Sequence, residues 1–337
     1  MPRGWGRFKE ELLPSMDERA TNTGLSFRRL LQNRVLFLSI LIVLLSLFAG
    51  VFYDTFFTFE NLKAVILNIS IDVIVSVGMM LLLISGVFDL TVGSVLAFGG
   101  AITSLLLERA HLHPVFSIPA GVVGCLFVGL FNGFLIARIR VNHLIVGLAM
   151  MGVVRGIVLL AIGSGIHRLP NEFLQFSSMA FLGLDLPIWY MVAISLLFAF
   201  FLSKTRFFRR YYYIGGNEKA ALFSGINVPK MRIFSFIMTS GLAGISGVIL
   251  TAKLGASIPT LGVGMELRSI TACILGGASL SGGHGTILGA VLGVLFMGLV
   301  NNFMIVSRID IAWQSIVVSG ILLSAVTIDA FMKKSNG

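Results

Sequence analysis

The sequence predicts an all-α, polytopic membrane protein of about ten transmembrane helices, some of them broken, with both termini cytoplasmic. Three observations carry that expectation. Of 337 residues, 56% are hydrophobic and only 12% charged, where a soluble domain carries roughly 25% charged residues. Mean hydropathy is +0.96. The apolar residues also fall in runs of the length that crosses a hydrocarbon core about 30 Å thick, separated by short polar connections.

Residues 1–34 read as a cytoplasmic tail rich in both signs of charge. Within it Phe27, Leu30 and Leu31 alternate with Arg28 and Arg29 at helical spacing, the pattern of a short amphipathic helix at the headgroups; a solvated tail is the alternative. The first apolar run, 35–53, is too long for the core of a cleaved signal peptide and reads as a retained span. Further runs lie near 63–84, 91–107, 115–137, 143–162, 187–203, 233–252, 266–281, 285–306 and 311–329. One membrane domain over 35–329 follows, with a short tail at 330–337. Of 25 basic residues, most fall in 1–34, 138–142, 204–232 and 330–337, all on one side if the N-terminus is inside. That bias sets the orientation and explains the net charge of +10 without any nucleic acid. Cys125 and Cys273 lie inside apolar runs and read as small buried hydrophobes.

Two connections stand out. The outside segment 163–186 is long enough for a short interfacial helix. The inside loop 204–232 is the longest between spans, and loops of that length are functional or disordered. Its sequence is patterned: basic Lys204 to Arg210, aromatic Tyr211 to Tyr213, then Gly215, Gly216, Asn217 and Glu218 leading through Ala221 to Ser224 and Gly225. Asn217 suits an N-cap and Gly225 a C′ stop, so a two-turn helix is expected between them.

Familiar catalytic chemistry has no foothold in these residues. Neither Gly-Lys-Ser nor Gly-Lys-Thr occurs, so the common ATPase phosphate loop is missing from the sequence. His111, His113, His143, His167 and His284 are scattered without the spacing of metal ligands. Ionisable groups at membrane depth are few: Asp72, Asp89 and Arg155. Such groups are paired or functional by default. Asp72 reads as a solute contact, a proton site or a structural carboxylate. Asp89, followed by Thr91 and Ser94, reads as a helix cap after a break. The dense run Gly276 to Gly285 is expected to break a helix or form a re-entrant turn. Glycines at three- and four-residue spacings (Gly241, Gly244, Gly247; Gly285, Gly289, Gly293) predict close helix packing.

Together these blocks resemble the permease subunits of bacterial carbohydrate ABC importers of the ribose, arabinose and xylose type. The stretches that carry the resemblance are Ser85 to Ser94, Phe131-Asn132-Gly133, Gly215 to Ile226, Leu275 to Gly285 and the closing Asn301-Asn302, spread over about 60–330. The resemblance implies a second permease subunit, copy or paralogue, an ATP-binding-cassette ATPase and a periplasmic or lipid-anchored solute-binding protein. It implies a bacterial inner-membrane location. ATP and Mg would be held by the ATPase, with no cofactor and no catalytic site in this chain. By the same resemblance Gly215, Gly216, Asn217, Glu218, Ala221, Ser224 and Gly225 would form the ATPase-coupling segment. Asp72, Asp89, Thr91, Ser94, Asn132, Asn301 and Asn302 are the expected translocation path, the uncharged ones suited to sliding a polyol. Three departures leave the solute open: Ser85-Gly86-Val87-Phe88 opens the first block, Asp72 stands where relatives often carry a neutral residue, and Met265 to Arg268 is less acidic than the family form. A secondary carrier working without an ATPase, or a nucleoside or branched-chain amino-acid permease, are the competing readings.

Overall fold

The computed structural model describes residues 34–336; the expected amphipathic helix around Phe27 to Leu31 lies outside them. In chain order the helices are α1 (Arg34–Phe52), α2 (Phe59–Ile84), α3 (Val92–Glu108), α4 (Pro114–Ala137), α5 (His143–Ile162), α6 (Asn171–Ser178) and α7 (Leu186–Lys204). Then follow α8 (Arg206–Gly216), α9 (Glu218–Phe223), α10 (Val228–Leu254), α11 (Met265–Leu275), α12 (Ile287–Val306) and α13 (Ile311–Asn336). Seven of them, α1, α2, α4, α5, α7, α10 and α12, are long and apolar enough to cross a membrane. Four two-residue strands make two small antiparallel pairs outside the helices, β1 (Ile166–His167) with β4 (Ala256–Ser257), and β2 (Ala180–Phe181) with β3 (Leu184–Asp185).

Local chemistry sets the ends. Side-chain oxygens of Thr58, Asn142, Asn227 and Thr286 accept from the first-turn N–H groups of α2, α5, α10 and α12. Pro187 and Pro229 sit in the first turns of α7 and α10, where a missing N–H costs nothing. A helix α6 does form in the outside segment 163–186, holding Phe173 and Ser177 in the interior.

Helix α2 is the axis of the molecule, fully buried from Val73 to Ile84 and packed by α10, α11 and α12. Close approach elsewhere depends on small residues. A Cβ at Gly247 of α10 would lie 1.9 Å from the Leu96 carbonyl of α3, and one at Gly293 of α12 would lie 1.9 Å from the Ala272 carbonyl of α11. Backbones so near each other exchange dispersion contacts that lipid cannot match. Cys125 and Cys273 are free and buried. By contrast α1, α4, α5 and α7 turn many large apolar side chains outward, as lipid requires.

Two helices stop in the same way. At the end of α2, Gly86 adopts φ +79°, its N–H reaches the Leu83 carbonyl at 2.9 Å and the Val87 N–H reaches Leu82 at 3.2 Å. At the end of α11, Gly277 adopts φ +98°, with Gly277 N–H on Ile274 at 3.0 Å and Ala278 N–H on Cys273 at 2.9 Å. This paired bonding round a left-handed glycine terminates a helix sharply. The expected span 266–281 is thereby corrected: the helix ends at Leu275, and a non-helical, glycine-rich loop occupies 276–286. Arg155 also has partners, donating from α5 to the carbonyls of Pro259 and of Leu261 (2.7 Å), so it holds the 255–264 connection in place.

Candidate functional site

The basic loop between α7 and α10 folds into two helices. Helix α8 is amphipathic, with Phe208, Tyr211 and Ile214 buried and Arg206, Arg209 and Arg210 exposed. Sequence reasoning split this stretch into a basic run and an aromatic run, whereas Phe208, Tyr211 and Ile214 at three-residue spacing carried the helical signal. Helix α9 stands where it was expected. The Asn217 side chain accepts from Ala220 N–H at 3.0 Å, and Gly225, at φ +78°, closes the helix with its N–H on Leu222 at 3.0 Å. Ser224 donates to the Ala220 carbonyl at 2.9 Å, Ala221 is buried against the body, and Glu218 pairs with Arg232 of α10 at 2.7 Å. Outward, α9 presents Leu222 and Phe223, the latter 92% exposed.

Gly215 and Gly216 do not form a free flank before α9; they are the last residues of α8. Gly215 is wedged where three segments meet: a Cβ there would lie 1.9 Å from the Ile84 carbonyl at the end of α2 and 2.3 Å from Gly283 N of the glycine loop. Gly283 N–H donates to that same Ile84 carbonyl at 2.9 Å, and the Tyr212 hydroxyl donates to the Gly285 carbonyl at 2.8 Å. Tyr211 anchors the other side of α8 by donating to the Met231 carbonyl of α10 at 3.0 Å. Burial pushes both phenols above the ordinary tyrosine range, so they remain neutral donors at physiological pH. Gly216, one residue on, faces open space. The exposed helix α9 is thus tied through α8 to the end of α2 and to the glycine loop that follows α11.

The second cluster lies just past the α2 break. Thr91 takes the N-cap position of α3, and Asp89, expected there, sits two residues upstream. Asp89 Oδ1 accepts from Thr91 N–H at 2.8 Å and from the Thr91 hydroxyl at 2.7 Å. Asn132 of α4 donates to Thr91 Oγ1 at 3.1 Å, and Ser94 Oγ donates to the Thr91 carbonyl at 2.8 Å. Asp89 and Asn132 are each 1% exposed, with Asp89 Oδ2 and Asn132 Oδ1 left without a donor among the described residues. The remaining path candidates lie apart. Asn302 of α12 exchanges two amide hydrogen bonds with Asn61 of α2, at 2.8 and 3.1 Å, while its neighbour Asn301 is exposed. Asp72 lies at mid-length of α2, partly accessible, with Lys253 and Arg268 as the nearest opposite charges.

A bundle of apolar helices, in which the end of α2, the glycine loop after α11 and a helical arm from the basic side meet at one junction, defines a membrane transport permease. Residues 61–326 match the family model described as branched-chain amino acid transport system / permease component. The L-arabinose ABC transporter permease protein AraH of Azospirillum brasilense is 38% identical over 297 residues, covering 87% of both chains. Its counterpart AraH in Escherichia coli K12 is 36% identical over 287 residues, 85% of this chain and 87% of that one. The autoinducer 2 import system permease protein LsrC of Salmonella choleraesuis is 30% identical over 293 residues, 87% and 84%. The chain belongs to this family of ABC importer permeases, with carbohydrate-importer members as its relatives. It is a multi-pass protein of the bacterial inner membrane and a transmembrane permease subunit of the importer class.

Proposed function

We propose that this permease is driven by a separate ATP-binding-cassette ATPase that docks on α9 from the cytoplasm, and that it moves a monosaccharide or a similar small polyol delivered by an extracytoplasmic binding protein. Two permease subunits enclose the path, and ATP and Mg are bound by the ATPase, not by this chain. The observation that carries the reading is the arm itself. Phe223 is a large apolar side chain 92% exposed at the tip of a short, capped helix, and such an anchor is suited to a pocket on a partner. The arm's other end touches the end of α2 and the glycine loop that follows α11, so displacing α9 shifts both together. A two-state switch of this type needs free energy that distinguishes the two states, and ATP-driven closure of the cassette dimer supplies it.

The relatives named for arabinose and for autoinducer 2 support a sugar-like solute. The family description keeps a branched-chain amino acid as the alternative cargo. The test is assembly: the permease carrying Phe223→Asp should lose co-purification with its ATPase while keeping its thermal melt in detergent. Retention of the ATPase at wild-type yield by Phe223→Asp and by Ala221→Asp would remove α9 from the docking surface.

A further inference from the structure

Asn68, Asp72, Lys253 and Arg268 stand together in the outer part of the bundle, Asp72 at mid-length of α2 and Lys253 in the last turn of α10, without being used by the arm, by the Thr91 cluster or by a helix cap. Helices α2 and α11 run in the same direction, and their register is set by Cys273 Sγ lying 3.4 Å from the Ser76 carbonyl. Four residues back from Ser76 is Asp72 and five back from Cys273 is Arg268, so the carboxylate and the guanidinium occupy the same level. Asn68, one turn outward from Asp72, accepts from Lys253 Nζ of α10 at 2.7 Å. A further turn out, Lys63 pairs with Asp185 at 3.0 Å. Asn68 is exposed, and Asp72, Lys253 and Arg268 are each partly accessible. Among the described residues neither Asp72 nor Arg268 has an ion-pair partner within 4.0 Å.

A mid-span carboxylate that keeps accessible surface is incompatible with lipid contact, so the face Asp72 shares with Arg268 borders water. We infer that these four residues form a solute-holding site in the outer half of the permease, built for a neutral polyhydroxylated molecule. A lone anion would meet Asp72 and a lone cation would meet Lys253 and Arg268, whereas each hydroxyl of a sugar both donates and accepts. Adjacent hydroxyls can donate to the two oxygens of Asp72, the Arg268 fork can donate to two hydroxyl oxygens, and Lys253 retains N–H groups beyond the one given to Asn68. Selection of the solute is then shared between this chain and the binding protein.

The inference rests on the sugar-permease reading, and the experiment separates the two. The permease–ATPase complex is placed in nanodiscs without binding protein, and equilibrium binding of radiolabelled L-arabinose is measured beside ATP-dependent uptake by the full system in proteoliposomes. Asp72→Asn and Arg268→Gln should each weaken binding at least tenfold and raise the apparent KM for uptake, and Asp72→Glu should recover part of the loss. If Asp72→Asn fails to assemble, Arg268→Gln and Lys253→Gln carry the same expectation. Wild-type binding and KM in the charge-neutral variants, beside normal uptake by the unmodified complex, would overturn the site alone. Absence of uptake by the unmodified complex would overturn the transport reading. L-leucine displacing L-arabinose from this face would overturn the polyol assignment, since a zwitterion meets the same two opposite charges.

Discussion

Individual residues in this permease act mainly by satisfying a polar group that lipid leaves stranded. Asn302 and Asn61 show this most simply, each amide donating to the other across α12 and α2. Amide pairs in membranes contribute about 0.6 kcal/mol. A double-mutant cycle of Asn61→Ala and Asn302→Ala, read by reversible unfolding, should give a favourable coupling of about that size; zero coupling would mean that the pair sets geometry without stabilising it. Asn217 holds the first turn of a helix only six residues long, too short to persist on propensity. Removing an N-cap costs about 1 kcal/mol. Asn217→Ala should therefore weaken ATPase co-purification roughly fivefold, measured at limiting ATPase, without moving the melt of the bundle.

At the scale of elements, the end of α8 sits between the end of α2 and the glycine loop that follows α11. Gly215→Ala puts a methyl group into the Ile84 carbonyl, while Gly216→Ala meets nothing. ATP-driven uptake should fall at least tenfold in the first variant and stay within about twofold of wild type in the second, with ATPase docking retained in both. Equal uptake by the two would show that α8 does not transmit motion through this junction. The phenols on α8 give a pH signature. Their folded pKa values are raised by burial, so their contribution to stability is complete below the unfolded value near 10 and is lost as pH rises past it. Tyrosine absorbance should show α8 detaching only above about pH 10, and later than free tyrosine ionises. Hydropathy located the apolar helices because the bilayer imposes one length and one composition on all of them. It extended the eighth span to residue 281, although the helix ends at Leu275, because glycine and alanine in the following loop are apolar whether helical or not. Helix α8 was not legible because its buried face is aromatic and three residues apart, within a charged run that also reads as a solvated loop.

For the whole molecule, the scarcity of charge is a record of the fold. Of the groups at membrane depth, Arg155 holds the 255–264 connection, Asp89 organises the turn into α3, and Asp72 faces Arg268 and Lys253. The Thr91 neighbourhood was legible because Asp89, Thr91 and Ser94 are contiguous and their local bonds follow from sequence spacing. The meeting of Gly86, Gly215, Gly282 and Gly283 was not, because segments far apart in the chain create it and glycine leaves no side-chain pattern to trace. The exposed helix α9 and the arginines of α8 lie on one side, and the partly accessible Asp72, Lys253 and Arg268 lie toward the other. The most direct test is ATP-dependent L-arabinose accumulation in proteoliposomes holding the permease, its ATPase and its binding protein. Accumulation is expected only when all three are present with ATP and Mg, and should be lost in Phe223→Asp. Accumulation or equilibration of the sugar by the permease alone, without ATP, would contradict an ATP-driven importer.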